Sequence, residues 1–137
     1  MIYNLRSYLL SLYPTEKIYV NVRDNTFPDT SIPDRYISLY ETGGNINDYP
    51  NDNLKNPYDF QVIVQDIDSP KSRKLIYQIF DSLDKNFSIT LPAVNVAGDV
   101  FASKIIKQMS ANAIPVCLGY DTEGRCQWSC NFRAYFE

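Results

Sequence analysis

The final residues of the sequence alternate between apolar and polar side chains. Successive residues of a β-strand point to opposite faces of a sheet, so this alternation predicts a strand with one face in the core. Residues 121–124 precede it, and their composition is typical of a tight turn. We therefore predict a C-terminal β-hairpin whose first strand lies near residues 116–118. The inward face is predicted to carry Cys126, Trp128, Cys130, Phe132, Ala134 and Phe136, and the outward face Arg125, Gln127, Ser129, Asn131 and Arg133.

Periodicity elsewhere predicts two helices and several further strands. Apolar residues recur at helical spacing over residues 2–13 and again over 69–86, where Ser69 is the expected N-cap and Pro70 the first helical residue. This order of elements predicts an α+β fold: a single domain over residues 1–137, with a mixed or antiparallel sheet and both helices packed on one face. The further strands are expected at residues 18–22, 35–41, 58–65, 89–91 and 103–109.

Residues 42–57 form a long run of Gly, Asn, Asp and Pro between two predicted strands. Loops of this length are uncommon inside compact domains unless they have a function or lack order. The run therefore has two interpretations. It is a binding arm that becomes ordered against a partner, or it is an insertion without a function of its own.

Composition excludes several classes of function. The 137 residues suit one domain, and a net charge of −3 provides no basic surface for specific nucleic-acid binding. The sequence has no histidine, which removes the commonest general base and metal ligand. Three cysteines without a signal peptide favour a reducing compartment, and the apolar N-terminal stretch is too short to span a membrane. We expect a protein made in the cytoplasm, without membrane attachment.

Several residue groups have the composition of known reactive sites, but their surroundings favour structural roles. The cysteines, Cys117 included, are expected to be small buried apolar residues. Asp66 and Asp68 match the spacing of some divalent-metal ligands, yet they precede a helix, whose dipole favours negative charge there. Ser82 and Lys85 have the Ser-x-x-Lys spacing of some acyl-transfer enzymes, but no companion motif occurs. We predict no catalytic residue, no metal and no cofactor.

Two groups of polar residues are candidate contact surfaces. Lys71, Arg73 and Lys74 crowd the first turn of the second helix, where positive charge opposes the helix dipole. They either lie on a solvated face or meet an acidic partner. The outward face of the final strand is the second candidate, because a terminal strand is often a sheet edge and these side chains suit specific hydrogen bonds. The alternative is an ordinary solvated sheet face.

Three stretches together resemble the small minor capsid or tail terminator proteins of long-tailed bacteriophages. They are residues 36–44 (YISLYETGG), residues 58–65 (YDFQVIVQ) with the helix that follows through Leu83, and residues 115–125 (PVCLGYDTEGR) leading into Asn131-Phe132. Their order and spacing are similar to those of the family. The 42–57 loop is longer and richer in Asn than the family pattern, so no role is carried over to it.

The resemblance implies a structural virion protein without catalytic activity. Such subunits assemble as a ring, usually a hexamer, that stops polymerisation of the tail tube and contacts the head connector while DNA passes through. The expected partners are further copies of the chain, the major tail tube protein and the connector or stopper protein, and the expected location is the tail or neck of the virion. Carried over to this sequence, Glu41, Gly43 and Gly44 lie near a ring contact, while Asp121, Gly124 and Arg125 form a braced hairpin turn.

Other functions stay open. The nearest is a head-closure or adaptor protein of the same neck. A different class is a small adaptor or inhibitor domain that uses the 42–57 loop to bind a host protein. A third is a hydrolase without a recognisable site, which the absence of histidine disfavours.

Overall fold

The computed structural model describes residues 1–20, 33–43 and 57–136. In chain order these ranges contain α1 (Ile2–Leu12), β1 (Ile18–Val20), β2 (Arg35–Gly43), β3 (Tyr58–Asp66), α2 (Ser69–Leu83), β4 (Asn86–Leu91), β5 (Val94–Val96), β6 (Asp99–Phe101), β7 (Lys104–Ala111), β8 (Val116–Tyr120) and β9 (Cys126–Phe136). The α+β class and the C-terminal hairpin are confirmed. Within the described ranges, no helix is both long and apolar enough to cross a membrane.

Seven of the strands form one mixed sheet. Its order is β1-β2-β3-β9-β7-β4, and β8 also pairs with β9. The β1–β2 pair is parallel and every other pair in the sheet is antiparallel. Strands β5 and β6 form a separate two-stranded hairpin. The large sheet is thus the framework on which all candidate surfaces are placed.

Both helices cover the same face of this sheet, as predicted. Amphipathic α1 and α2 each bury one apolar stripe against the alternate residues of the strands, because a strand presents every second side chain to one face. Phe60 and Phe132 are opposite each other in register and their rings stack with centroids 5.3 Å apart. The residues that share this core include Leu5, Leu9, Ile37, Leu39, Phe60, Val62, Ile76, Ile79, Met109, Cys130 and Phe132.

The final strand is not a sheet edge, which corrects the expectation for β9. It pairs with β3 from Cys126 to Ala134, while its other side pairs first with β8 and then with β7. A terminal position in the chain does not make a strand an edge, because β9 returns between strands formed earlier in the sequence. The ends of the main strand order are β1 and β4.

Three element boundaries also differ from expectation. Asp68, not Ser69, is the N-cap of α2: its carboxylate accepts a hydrogen bond from the backbone N–H of Lys71 at 3.2 Å. The run from 87 to 102, predicted to hold one short strand at 89–91, contains the β5–β6 hairpin and all of β4 except its first residue, Asn86. Strand β2 continues to Gly43, two residues into the predicted 42–57 loop. Residues 44–56 of that loop, which include Gly44, lie outside the described residues.

Candidate assembly surfaces

The turn between β8 and β9 is braced by Asp121 and Arg125, as the resemblance implies. One Asp121 carboxylate oxygen accepts hydrogen bonds from the backbone N–H groups of Glu123 and Arg125, at 2.9 and 2.8 Å. The other lies 3.2 Å from the Arg125 guanidinium. Both side chains are almost fully buried, with exposed fractions of 5% for Arg125 and 3% for Asp121. Gly124 has a φ of 84°, a conformation that glycine adopts without strain.

Arg125 is buried, which corrects its prediction as an outward-facing contact residue. Its Nε donates a hydrogen bond to the Pro33 carbonyl at 2.8 Å, and its guanidinium lies 6.0 Å from the centre of the Tyr36 ring. It therefore ties the hairpin to the chain that leads into β2. Alternation placed Arg125 on the polar side of the sheet but gave no information on whether that side is covered.

Arg133 and Asn131 do lie on the accessible polar face. The Arg133 guanidinium forms a two-point ion pair with Asp59 on β3, at 2.7 and 2.8 Å. Hydrogen bonds to Asp59 and to Tyr135 raise the pKa of Arg133. Asn131 is exposed. Next to them, the Gln61 amide donates to the Ser129 hydroxyl at 2.8 Å. The side chains of Arg133 and Asp59, and those of Gln61 and Ser129, are thus paired with each other within the sheet. This face therefore offers hydrogen bonds to a partner mainly through Asn131.

The end of β2 carries the next candidates, Glu41 and Gly43. Glu41 is exposed and accepts a hydrogen bond from the Tyr58 hydroxyl at 2.8 Å. Burial, together with this hydrogen bond, raises the pKa of Tyr58. The register shifts between Glu41 and Gly43, and Gly43 has a φ of 106°. This end of β2 is therefore a bulge next to an aromatic cluster of Tyr58, Phe60 and Phe136.

The basic group at the start of α2 is divided between two environments. The Arg73 guanidinium stacks over the rings of Tyr77 and Trp128, at 4.7 and 5.8 Å from their centres. Lys71 and Lys74 instead line a cleft of about 250 Å³ together with Arg35 and Gln78. The three cations predicted to act as one patch are thus not one patch. An acidic partner would meet Lys71 and Lys74 on one side of the helix and Arg73 on the other.

Arg35 organises a network that the sequence did not indicate. It pairs with Glu16 through two hydrogen bonds of 2.6 and 2.9 Å and with Asp66 at 3.2 Å. Asp66 also accepts the Asp68 backbone N–H at 2.8 Å. Asp66 and Asp68 are therefore an ion-pair partner and a helix cap. Arg35 is 19 positions from Glu16 and 31 from Asp66, and they meet through the pairing of β2 with β1 on one side and with β3 on the other, so no local motif could have shown this network.

The cysteines divide into two kinds. Cys126 and Cys130 are buried, as predicted, whereas Cys117 is exposed on β8, which corrects its prediction as a core residue. Burial and the nearby Asp84 carboxylate raise the pKa of Cys130 to about 12. Burial also raises the pKa of Cys126, but hydrogen bonds with Ser69, Ser72 and other neighbours lower it by more. All three thiols are free.

Strand β8 exposes large apolar side chains that the sequence interpretation missed, and a register shift between Cys117 and Gly119 distributes them over both faces of the sheet. Val116, Leu118 and Tyr120 are 56%, 51% and 67% exposed, and Ile114 just before them is 70% exposed. Contiguous exposed apolar groups on a small domain mark surfaces that contact other molecules. The sequence predicted a strand near residues 116–118 but not its exposure, because only the covering elements decide whether such a strand is buried.

Among the described residues, no group of three or more acidic or cysteine side chains is placed to hold a metal ion. No family model matches the chain, and no match was found among the curated proteins.

Proposed function

We propose that this protein is a structural subunit of the neck of a long-tailed bacteriophage, a tail terminator that forms a ring on the tail tube. The proposal rests on the resemblance of three sequence stretches to that family. One observation supports it further. The stretches occupy β2, β3 with α2, and the β8–β9 hairpin, and these strands are neighbours in the sheet order β2-β3-β9-β8.

This adjacency strengthens the resemblance because the three stretches are far apart in the chain. If the three likenesses were coincidental, the stretches would not be expected to lie next to one another in the fold. Stretches that belong to one structural unit are expected to do so. Strand β3 pairs with β2 over Arg35 to Gly43 and with β9 over Cys126 to Ala134. The similar residues thus form one continuous half of the sheet.

The surfaces described above suit a protein that acts by contact. The β8 edge is apolar and exposed, and the polar face of β3 and β9 presents fixed hydrogen-bonding groups. A net charge of −3 also suits a ring through which DNA passes, since such a ring should not hold phosphates tightly. In this proposal the chain binds further copies of itself, the major tail tube protein and the head connector.

The test is assembly with the major tail tube protein of the same phage, which this proposal expects to be encoded beside this chain. The mass of the purified protein is measured in solution, alone and with tube protein, and tube lengths are measured by electron microscopy. We expect a ring, formed alone or on the tube, and tubes that stop growing once it is added. Tubes that keep growing beside a monomer would contradict the proposal. A ring that binds the head connector but not the tube would instead identify the neighbouring head-closure protein.

A further inference from the structure

No strand in residues 1–20, 33–43 or 57–136 pairs with the outer edge of β8, so this position in the sheet is unfilled by the described residues. Strands β7 and β8 follow one another along the same side of β9. Strand β4 pairs with β7 from Lys104 to Met109 and begins at Asn86, so it does not reach β8. In the described ranges β8 pairs only with β9. Its outward backbone N–H and C=O groups therefore form a free pairing edge next to the start of β4.

Neither charge nor proline protects this edge, although a register shift between Cys117 and Gly119 interrupts the pairing of β8 with β9. Natural edge strands are usually blocked by charged side chains, proline or strong twisting. The five residues of β8 include no charge and no proline, and three of them are large, apolar and more than half exposed. A free edge of this kind favours an added strand with apolar side chains of its own.

The β5–β6 hairpin provides such strands at the opposite end of the molecule. It connects the end of β4 at Leu91 to the start of β7 at Lys104, whereas β8 follows the other end of β7. Asn4 of α1 fixes its base by donating to the carbonyls of Pro92 and Ala102, at 2.8 and 3.1 Å. Its strands have only three residues each, and Val100 is 73% exposed. A two-stranded hairpin is marginal alone and gains stability from a third strand.

Two exposed charges complement this arrangement. Lys85 lies directly before β4, at the end that faces the unfilled position, and Asp99 begins β6 in the hairpin. Neither forms an ion pair within the described part of the chain. The acidic neighbour of Lys85, Asp84, is occupied by a hydrogen bond from the Ala111 backbone N–H at 2.9 Å.

We propose that the β5–β6 hairpin of one copy docks on the β8 edge of the next copy, with Val100 against the exposed apolar side chains of β8 and Asp99 near Lys85. The inference rests on the proposed ring and names the contact that builds it. The contact joins two different surfaces of the same chain. Repeated head to tail, such contacts close into a ring when the rotation between copies allows it.

Exchange of the two charges tests the pairing. Lys85→Glu and Asp99→Lys should each raise the concentration needed for assembly by about tenfold, because each places like charges in contact. An equimolar mixture of the two variants should assemble again, since alternating copies restore opposite charges at every contact. Both positions are exposed, so thermal unfolding should match that of the unaltered protein and serve as the folding control.

Cross-linking tests the geometry with a variant in which β8 itself is unaltered. Val100→Cys should form a disulfide between copies with the native exposed Cys117 under mild oxidation, and Cys117→Ser should abolish it. Leu12→Cys is the matched control, because Leu12 is also exposed, at 42%, but lies at the far end of α1. We expect covalent chains or closed rings from the first variant and none from the control.

The outcomes separate this contact from the proposed function. If Lys85→Glu and Asp99→Lys do not change the concentration needed for assembly, and no cross-link forms between position 100 and Cys117, the proposed contact is wrong. The proposed ring is not contradicted by that result. Dimers linked through two Cys117 residues also overturn the proposed contact, because β8 would then pair with itself. Monomers at every concentration, with and without tail tube protein, overturn both proposals.

Discussion

The two halves of β9 show how one strand can serve two different purposes. The first half lies between β3 and the short exposed β8, and the second between β3 and β7, which β4 covers in turn. Each half has an arginine on the polar side of the sheet. Arg125, just before the first half, is buried with Asp121, whereas Arg133 in the second half is 30% exposed beside Asp59. The buried pair of Arg125 and Asp121 stabilises the hairpin, whereas the pair of Arg133 and Asp59 lies on the surface of the sheet.

This contrast predicts a large loss of stability for Arg125→Ala. The substitution leaves the Asp121 carboxylate buried without its cation and the Pro33 carbonyl without its donor. We expect the free energy of unfolding, measured by urea titration, to fall by about 3–5 kcal/mol. Arg125→Met, which keeps most of the volume, should lose nearly as much because the charge is still missing. A loss below about 1 kcal/mol would show that the buried pair does not brace the hairpin.

The two buried thiols predict different behaviour in alkaline solution. In the unfolded chain a cysteine thiol ionises near pH 8.5, whereas folding raises the pKa of Cys130 to about 12. The unfolded chain therefore loses this proton first, and the stabilisation is present below about pH 8.5 and lost as the pH rises toward 12. The free energy of unfolding should fall by at most about 1.4 kcal/mol per pH unit through the ionisation of Cys130.

Cys130→Ala should make this alkaline decline shallower, although the variant begins less stable because a core side chain is shortened. Cys126→Ala is the matched control. Folding lowers the pKa of Cys126, so its removal should not make the decline shallower. Since Tyr58 also has a raised pKa, the titrations are best compared in a Tyr58→Phe background. Equal slopes for the two cysteine variants would contradict the assigned environments.

Arg133→Ala is expected to cost much less than the change at Arg125. The pair with Asp59 is partly exposed to solvent, so screening limits it to about 1 kcal/mol. Urea titration at low and high salt measures it, and the difference from the unaltered protein should shrink as salt rises. Asp59→Ala and the double variant complete a cycle that isolates the pair. A loss of unfolding free energy as large as that of Arg125→Ala would contradict the distinction between a buried ion pair at the first half of β9 and a solvent-exposed ion pair at the second.

Leu118→Ser should have the smallest effect on folding. Leu118 is 51% exposed on β8, so its replacement should change the free energy of unfolding by no more than about 0.5 kcal/mol. The same variant should weaken association between copies if β8 is a contact surface. Thermal unfolding and solution mass, measured on one sample, separate the two effects. A large loss of stability would instead assign Leu118 to the core.

Much of the fold follows from local pattern. Helical spacing predicted α1 to within one residue and α2 to within three at its end, and alternation predicted β3, β7 and β9, because side chains that share a face repeat with the period of the element. The β5–β6 hairpin was missed because its turn is Ala97-Gly98, with φ of 52° and 89°. Such turns usually carry Asn-Gly or Asp-Gly, so the sequence signal was weak.

The candidate surfaces were predicted less well, since they depend on which strands become neighbours. The sequence by itself determined the composition of the two faces of β9, the core that Phe60 and Phe132 share, and the turn chemistry of Asp121 and Gly124. Only the tertiary structure decided that β9 lies inside the sheet, that Arg125 is buried, and that β8 pairs with β9 alone among the described strands. The physical reason is that alternation specifies the side of a sheet, while burial depends on distant segments that cover it.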